Sequence, residues 1–385
     1  MPLFNNITVI GLGLIGSSIA QAAKKYHAAK TITAFDLNEE SINKALELGI
    51  IDNGYNNLSD SVKDSQMVII CTPISTYDAI INEIAPKLDK DTIITDVGSV
   101  KKSVIDIISP KLKYPENFVP AHPIAGSEKS GLLAGNADLF LDKEFIITPA
   151  EKSSSSSITK VDRFWQTLGS NIEIIPPEEH DEIYAKSSHI PHLAAFCYAR
   201  YIMKNQNISL AKLVENEGDE FAAFVRLAFS NPQMWTDIFL YNKEPIIKNT
   251  EKYLLDPSNI IKNNDEIKVL YERIENAANI RANFQKKGHF TKALNKNDIS
   301  TGIIPLLISC LLIESVEGHP KVGGGFLGMT QVILNPNDAI KQTIQIQIDD
   351  YNDKYNQLLC EYEKLLNYIR NADKKNIYSY LSEIK

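Results

Sequence analysis

The fold of the first half of the chain is decided by residues 7–16, Ile7-Thr8-Val9-Ile10-Gly11-Leu12-Gly13-Leu14-Ile15-Gly16. The β-branched run predicts a buried strand, and residues 17–26 predict a helix. A GxGxxG turn between a strand and a helix is the fingerprint of a dinucleotide-binding site. Gly11 permits the tight turn, Gly13 lets the backbone approach a pyrophosphate, and Gly16 lets the helix pack against the strand. The helix N-terminus then offers free N–H groups to the phosphates.

A second predicted strand, Thr31 to Phe35, ends at Asp36, which lies 20 residues beyond Gly16. A carboxylate at this place bonds the ribose hydroxyls and repels a 2′-phosphate, so the sequence favours NAD over NADP. The predicted cofactor-binding residues are Gly11, Gly13, Leu14, Ile15, Gly16, Asp36 and Thr72.

The alternation of strand and helix continues with predicted strands at 67–71 and 92–96. Ligands of open parallel sheets lie beyond the carboxyl ends of the strands. We therefore expect Thr72, Ser99 and the loop that begins at His122 to face one crevice. Taken alone, Ser99 is as readily explained as a turn or cap residue.

Two later runs, 145–148 and 171–175, are predicted as further strands of the same sheet. Between them, the serine run 153–157 is predicted as a polar loop before a helix at 158–168. The pattern as a whole predicts an α/β Rossmann-type dinucleotide-binding domain with a parallel sheet, followed by an all-α helical domain. The predicted domains are residues 1–176, 177–287 and 288–385.

The loop from His122 to Gly131 opens with a His-Pro turn, and two glycines bracket a run that carries a hydroxyl, a carboxylate and an amine. Pro123 restricts its own φ and disfavours helical geometry at His122. An imidazole titrates at roughly pH 6.5, so His122 can exchange a proton near neutrality. The alternative is a polar turn that carries a surface histidine.

Beyond residue 176 the sequence predicts helices, with an interruption at Ser188-His189-Ile190-Pro191-His192-Leu193 before an apolar helix. His189 and His192 are either core-filling or cap residues or part of a site. A further helix is predicted around Arg226, which lies among apolar neighbours. A buried arginine fits either a structural ion pair or a planar anion such as a substrate carboxylate.

Composition excludes several classes of protein. The net charge of −8 argues against nucleic-acid binding. Four widely separated cysteines, with no CxxC pair, suit a reducing compartment and give no reason to expect a metal. The N-terminus lacks the features of a signal peptide, and the longest apolar run, 303–313, is too short for a membrane span of about 20 residues. We expect a cytoplasmic protein without a membrane segment.

Segments 11–16, 96–101, 122–131, 188–192 and 221–235 together resemble the prephenate dehydrogenase family of tyrosine biosynthesis, which includes cyclohexadienyl and arogenate dehydrogenases. The resemblance covers roughly residues 5–287. It implies NAD-dependent oxidative decarboxylation of prephenate to 4-hydroxyphenylpyruvate, or the same chemistry on arogenate to give tyrosine. It also implies a small-molecule substrate and a homodimer formed through the helical domain.

The resemblance assigns roles residue by residue. His122 bonds the substrate hydroxyl and accepts its proton, and Ser99 orients both. Arg226 holds the ring carboxylate. Ser127 and Glu128 belong to a loop that covers the substrate, while His189 and His192 line the pocket.

Two departures from the family pattern stand at Ala222-Ala223, where an aspartate is usual, and at Thr236, where arginine is common. They leave open a catalytically silent, nucleotide-binding regulator, although Ser99, His122 and Arg226 argue against that alternative. A third alternative is a dehydrogenase of the same broad build that acts on a β-hydroxy acid. Such enzymes usually place a lysine on the helical-domain side for proton transfer, and the motif from Ser188 to His192 does not resemble theirs.

The last hundred residues resemble a second, degenerate copy of the helical domain. Residues 301–306 align with 187–192, and 326–331 align with 221–226, with Gln331 in place of the arginine. The alternative is a coincidental similarity between helical segments. Residues 349–370 are predicted as a long amphipathic helix that suits a packing or dimer surface.

Overall fold

The computed structural model divides the chain into two compact units, residues 1–181 and 182–385. It describes residues 2–126, 129–206, 226–256, 276–277, 308–309, 311–313, 315–316 and 338–384, with the backbone alone at 205–206 and 338–352. The three-domain division remains a prediction.

Unit 1 is built on a six-stranded parallel sheet, as the strand–helix alternation predicts. Its order is β3-β2-β1-β4-β5-β6, and the direction of the strand order reverses between β1 and β4. Strands β1 and β4 are apolar because helices cover both faces of the sheet. The strands are β1 (Phe4–Ile10), β2 (Ala29–Phe35), β3 (Asn53–Tyr55), β4 (Met67–Ile70), β5 (Ile93–Asp96) and β6 (Phe118–Val119).

Helices connect these strands and cover the sheet. The first, α1, packs a row of alanines and Ile19 into the core. The helices of unit 1 are α1 (Leu14–Lys25), α2 (Glu39–Glu47), α3 (Leu58–Ser61), α4 (Tyr77–Ile84), α5 (Lys102–Ile108) and α6 (Ser155–Thr167).

The serine run is only partly a loop, contrary to the prediction. Helix α6 already begins at Ser155, because the Ser154 hydroxyl accepts a hydrogen bond from the backbone N–H of Ser157. Serine is favoured at this capping position, which explains why a polar run starts a helix.

The prediction that the later strands extend the first sheet is wrong. A separate three-stranded sheet forms from β7 (Ala121–Pro123), β8 (Glu144–Ile147) and β9 (Asn171–Ile174). Strand β7 pairs antiparallel with β8, so that His122 lies opposite Ile146. The chain leaves the first sheet at Pro120, which has no N–H to donate and whose carbonyl accepts from the Thr148 backbone. Apolar runs predict strands but do not identify their partners.

The division between the two units falls within α7 (Pro177–Tyr184). The predicted interruption at residues 188–193 is not a break: a π-helical turn, Ala185–His189, leads directly into α8 (Ile190–Gln206). Pro191 has no N–H to donate to the carbonyl four residues earlier, and a widened turn accommodates that loss.

The helix that the sequence predicts from Asn231 to Tyr241 is confirmed, and the short helix before it is of the 3-10 type. A short 3-10 helix, Arg226–Phe229, precedes α9 (Pro232–Tyr241), whose first turn is capped by the Asn231 side chain. Helix α10 (Lys243–Tyr253) follows. The helix expected at 264–285 lies outside the described residues except for 276–277, which are helical.

The predicted C-terminal helix is confirmed and is longer than expected. It is α11 (Asp338–Arg370), and it is followed by α12 (Lys374–Ser382). Leu358, Leu365 and Ile369 of α11 are fully buried. The residues on which the proposed second copy depends, 301–306 and 326–331, lie outside the described part of the chain. No helix among the described residues is long and apolar enough to cross a membrane.

Candidate active site

The glycine turn has the geometry that its sequence predicts. Gly11 has φ +98°, and its N–H donates to the Phe35 carbonyl at 2.7 Å, which ties the turn to the adjacent strand. A Cβ on Gly16 would lie 1.9 Å from the Gly11 carbonyl oxygen, so only glycine fits. A Cβ on Gly13 would meet nothing within 4 Å. The space beside Gly13 leaves its backbone open to close approach by another group.

Helix α1 presents its N-terminus at this turn without a side-chain cap and without an acidic residue in its first turn. Leu14 and Ile15 form that first turn and are half-buried. Backbone N–H groups at an uncapped helix start attract anions. The turn therefore suits the pyrophosphate of a dinucleotide.

Asp36 follows β2 directly, and its carboxylate is held by two backbone donors. Its Oδ2 accepts from Leu12 N–H at 2.7 Å, and its Oδ1 accepts from Asn38 N–H at 2.8 Å. Its acidic charge is thus fixed beside the glycine turn, where it suits ribose hydroxyls and disfavours a 2′-phosphate. Thr72, after β4, lies on the other side of the turn: its Cγ2 is 2.9 Å from a Cβ placed on Gly11.

The loop that carries Ser99 is fixed by a buried ion pair. Asp96, at the end of β5, and Lys101 are 2.7 Å apart, and both side chains are inaccessible to solvent. Lys101 Nζ also donates to the Ala121 carbonyl at 2.5 Å, and Asp96 Oδ1 accepts from the Ala121 N–H at 3.2 Å. Both ends of the Ser99 loop are therefore bound to the residue that precedes His122. That Ser99 and His122 face one crevice remains a prediction.

His122 lies on β7, half-buried, and its imidazole contacts a second histidine that sequence reasoning missed. His122 Nδ1 is 2.9 Å from His180 Nε2, and the two rings meet edge to face at 5.2 Å between centroids. His180 lies in α7 and is fully buried. A buried imidazole needs hydrogen-bond partners at its nitrogens.

The other nitrogen of His180, Nδ1, is 2.8 Å from Asp181 Oδ1. The same carboxylate accepts the backbone N–H groups of Lys101 and Lys102 at 2.8 and 2.9 Å. Burial, and next the positive charge of Lys101, hold the pKa of His180 well below its ordinary value, so the ring is neutral at pH 7. One sequence signal pointed here: a histidine beside an aspartate in an otherwise charged helix, which by itself is a weak indication.

In unit 2, the two histidines of the 188–192 motif are both buried. His192 donates from Nδ1 to the Ser188 carbonyl at 2.9 Å and stacks on Trp235, with 3.6 Å between ring centroids. Burial, only partly opposed by that hydrogen bond, lowers the pKa of His192 to about 3. His189 Nδ1 accepts from the Asn242 amide at 2.9 Å. The motif thus forms a packed histidine–tryptophan cluster in the helical unit.

Arg226 is exposed and begins the 3-10 helix, so the expectation of a buried arginine is wrong for this structure. The residues that precede it, 221–225, lie outside the described part of the chain. Ser127, Glu128 and the Ala222-Ala223 departure lie outside the described residues. Thr236 is buried, and its hydroxyl donates to the Pro232 carbonyl within α9.

Two family models match the chain. The nucleotide-binding domain of prephenate dehydrogenase matches residues 19–174, and the dimerization domain of prephenate dehydrogenase matches residues 176–274. The chain belongs to the prephenate dehydrogenase family. Its place in this family makes the chain an oxidoreductase with a nucleotide-binding first unit.

Individual members of the prephenate dehydrogenase family are similar over most of their length. The cyclohexadienyl dehydrogenase of Zymomonas mobilis is 34% identical over 66% of this chain and 87% of that protein. The prephenate dehydrogenase of Bacillus subtilis is 32% identical over 83% of this chain and 82% of that protein. The structure of Aquifex aeolicus prephenate dehydrogenase with hydroxyphenyl propionate and NAD+ is 33% identical, with a TM-score of 0.60, and covers 66% of this chain and 89% of that one.

Proposed function

We propose that this protein converts prephenate to 4-hydroxyphenylpyruvate, with NAD as the hydride acceptor. The observation that carries the proposal is the position of His122. His122 lies on β7, next to the residue that anchors the Ser99 loop after β5. Its imidazole forms a hydrogen bond with the neutral, buried ring of His180. A base held at the carboxyl edge of a dinucleotide-binding sheet fits the oxidation of an alcohol.

The first step of the reaction requires the transfer of one proton, which is the proton of the substrate hydroxyl. As the hydroxyl-bearing ring carbon of prephenate loses its hydride, His122 accepts the hydroxyl proton. The ring carboxylate then leaves as carbon dioxide, and the electrons of the broken bond make the ring aromatic. The resulting phenolate oxygen recovers a proton from His122, so that the histidine ends neutral. Ser99 orients the hydroxyl during both transfers.

NAD supplies the hydride-accepting nicotinamide when it is bound. Gly11, Gly13 and Gly16, with the first turn of α1, hold its pyrophosphate, and Asp36 takes its ribose hydroxyls. Support comes from the uncapped helix start, the open space at Gly13 and the fixed carboxylate of Asp36. The A. aeolicus relative was solved with NAD+ bound.

The substrate carboxylates need cationic or hydrogen-bonding partners, and we assign the ring carboxylate to Arg226. Its planar guanidinium can bind a carboxylate through two parallel hydrogen bonds. Ser127 and Glu128 cover the substrate, and His189 and His192 line the helical side of its pocket. The exposure of Arg226 is consistent with a ligand-binding role.

We further infer three domains, at residues 1–176, 177–287 and 288–385, and a homodimer through the helical region. The family's own description of its second domain as a dimerization domain supports the dimer. Cys71, Cys197 and Cys360 are free thiols, which favours a reducing, cytoplasmic location.

The test is reduction of NAD by the purified protein, followed by absorbance, with prephenate and arogenate offered separately. We expect turnover with prephenate and NAD, and at least about tenfold lower efficiency with NADP, because Asp36 disfavours its 2′-phosphate. Turnover with arogenate but not with prephenate would show that arogenate is the substrate. No turnover with either would favour a silent nucleotide-binding protein.

The matched variant is His122→Asn, which removes the base but not the nucleotide turn. We expect kcat to fall by about 10² to 10⁴, the usual contribution of a positioned general base, while NAD affinity stays unchanged. Equal turnover by the variant would eliminate His122 as the proton acceptor. The exposed His27, changed to Asn, controls for the loss of any histidine.

A further inference from the structure

Three side chains of unit 1 form a continuous hydrogen-bonded chain from a carboxylate to the proposed base. Asp181 Oδ1 is 2.8 Å from His180 Nδ1, and His180 Nε2 is 2.9 Å from His122 Nδ1. His180 is fully buried, Asp181 is nearly so, and His122 is half-buried. The hydrogen-bonded chain therefore leads from the protein interior to a side chain that solvent partly reaches.

The direction of each hydrogen bond follows from counting protons. The Asp181 carboxylate already accepts two backbone N–H groups, from Lys101 and Lys102, one at each oxygen. Both oxygens therefore act as acceptors, and the nitrogen that faces Oδ1 must donate. His180 consequently carries a hydrogen on Nδ1.

A neutral imidazole carries one hydrogen, so Nε2 of His180 has only a lone pair. His180 is held neutral by its burial and by the nearby charge of Lys101, which oppose a second proton on the ring. The nitrogen of His122 that faces this lone pair must then donate. His122 is thus fixed as the tautomer with hydrogen on Nδ1 and the lone pair on Nε2.

We propose that Asp181 and His180 are positioning residues that set the tautomer of His122, so that its Nε2 is the atom that accepts the substrate proton. Both side chains are buried, so we assign neither of them a contact with substrate. The inference rests on the proposed function for its kinetic consequence, but the tautomer itself exists without substrate. The hydrogen bond from His122 Nδ1–H to the lone pair of His180 has a second effect. This hydrogen bond is stronger when His122 is positively charged, so it favours the charged form and raises the basicity of His122.

Nitrogen-15 NMR of the histidine-labelled protein tests the tautomer directly. Protonated and unprotonated ring nitrogens differ widely in chemical shift, and the His122→Asn spectrum identifies the His122 signals. In the wild type at a pH where His122 is neutral, we expect a protonated Nδ1 and an unprotonated Nε2. The reverse pattern in the wild type would overturn the proposal.

Asp181→Leu removes the acceptor that keeps the hydrogen of His180 on Nδ1. His180 can then carry its hydrogen on Nε2, which donates to His122 Nδ1 and moves the hydrogen of His122 to its own Nε2. We expect this inverted His122 tautomer to become populated and kcat to fall by about tenfold or more, since the lone pair then faces away from the substrate. A folded variant that keeps the wild-type tautomer alone would contradict the proposal.

Two changes at His180 separate positioning from packing. His180→Phe keeps the ring but removes the acceptor, whereas His180→Gln supplies a side-chain oxygen that can accept from His122 Nδ1. We expect Gln to retain about tenfold more of kcat than Phe, a difference of about 1.4 kcal/mol in transition-state stabilisation. Equal losses in the two variants would indicate a purely structural role.

The pH dependence of kcat/KM distinguishes the two roles of His180, because a loss of packing alone would not shift it. Without the His180 acceptor, the pKa of His122 falls, so the acidic limb of kcat/KM should shift to lower pH in His180→Phe. The Kd for NAD should stay within about threefold of the wild type, because the glycine turn is untouched. A limb that does not move, in a variant that binds NAD normally, would count against the proposal. Absence of wild-type turnover with prephenate would reject the proposed function while leaving the tautomer measurement valid.

Discussion

The ammonium of Lys101 and the carboxylate of Asp96 form an ion pair, 2.7 Å apart, in which both side chains are completely buried. Through the backbone of Ala121, this pair joins the end of a strand of the first sheet to the start of the second sheet. Burial lowers the pKa of Lys101 against the opposing effect of Asp96. The pair holds the Ser99 loop and the strand that carries His122 in one arrangement.

Lys101→Met should destabilise the protein by about 3 to 5 kcal/mol, because it leaves the Asp96 charge buried without its partner. Urea unfolding followed by circular dichroism measures the loss. The control is Lys63→Met, which removes an exposed ion pair with Asp60 and should cost less than about 1 kcal/mol. Similar losses in the two variants would show that the buried pair has no special structural role.

Substitutions at two glycines of the nucleotide turn should affect stability and cofactor binding differently. Gly16→Ala places a Cβ against the Gly11 carbonyl oxygen, so we expect it to destabilise unit 1 and to abolish NAD binding. Gly13→Ala meets no protein atom within 4 Å, so the free energy of unfolding should change by less than about 1 kcal/mol. Its methyl group nevertheless occupies the space beside the pyrophosphate, and NAD affinity should fall about tenfold or more.

Thermal unfolding and NAD titration of the same two variants measure both effects. Normal NAD affinity in Gly13→Ala would show that the pyrophosphate does not lie beside Gly13. A fully stable Gly16→Ala would show that the turn can relax, which the short approach to Gly11 argues against.

The nucleotide-binding half could be predicted from sequence because its signals are local. The local sequence is enough to predict the glycine turn, the β-branched strands and the position of Asp36 at the end of a strand. The surroundings of His122 could not be predicted, because His180 is 58 residues away and reaches it only through the packing of α7. The second sheet cannot be predicted for the same reason: strand β8 is as apolar as a strand of the first sheet, and its sequence does not identify the strand with which it pairs. The π-helical turn before Pro191 cannot be predicted either, because proline indicates a disruption of the helix without specifying its form.

Asp36→Asn should weaken the discrimination between NAD and NADP. The amide still accepts from the Leu12 or Asn38 backbone, but the negative charge that repels a 2′-phosphate is lost. We expect the ratio of kcat/KM for NAD to that for NADP to fall by about tenfold, a change of about 1.4 kcal/mol in transition-state binding. Steady-state kinetics with both cofactors measures it, and an unchanged ratio would mean that Asp36 does not face the ribose.

Acid should destabilise the helical unit through His192. Its pKa is lowered by burial to about 3 in the folded protein, whereas an unfolded histidine titrates at roughly 6.5. The unfolded state binds the extra proton first, so stability is full above about pH 6.5 and declines as pH falls toward 3. At pH 5 the loss from this residue is about 2 kcal/mol.

Unfolding in urea at pH 7.5 and at pH 5, followed by circular dichroism, tests this dependence of stability on pH. His192→Gln should be less stable at pH 7.5 but should lose about 2 kcal/mol less between the two pH values. The exposed His27→Asn should follow the wild-type pH dependence. A His192→Gln protein with the wild-type dependence would assign the acid sensitivity to other groups.

The C-terminal helices should be an integral part of the helical unit rather than an appendage. Arg200 of α8 is nearly buried, and it donates to Glu361 of α11 at 3.4 Å and to the Tyr380 carbonyl of α12 at 3.1 Å. Its guanidinium also lies 4.1 Å from the centre of the Tyr380 ring and pairs with Glu383. Arg200→Ala should therefore cost about 3 to 5 kcal/mol, because Glu361 stays buried with less compensation.

The matched control is Arg370→Ala, which removes an exposed pair between α11 and Glu251 and should cost less than about 1 kcal/mol. Ending the chain at residue 288 removes every C-terminal partner of Arg200 and uncovers the apolar surface that α11 and α12 bury, so we expect aggregation in size-exclusion chromatography. A soluble truncated protein that still reduces NAD would show that the last hundred residues are dispensable. If Arg200→Ala is no less stable than Arg370→Ala, the contacts of α8 with the C-terminal helices do not hold the unit together.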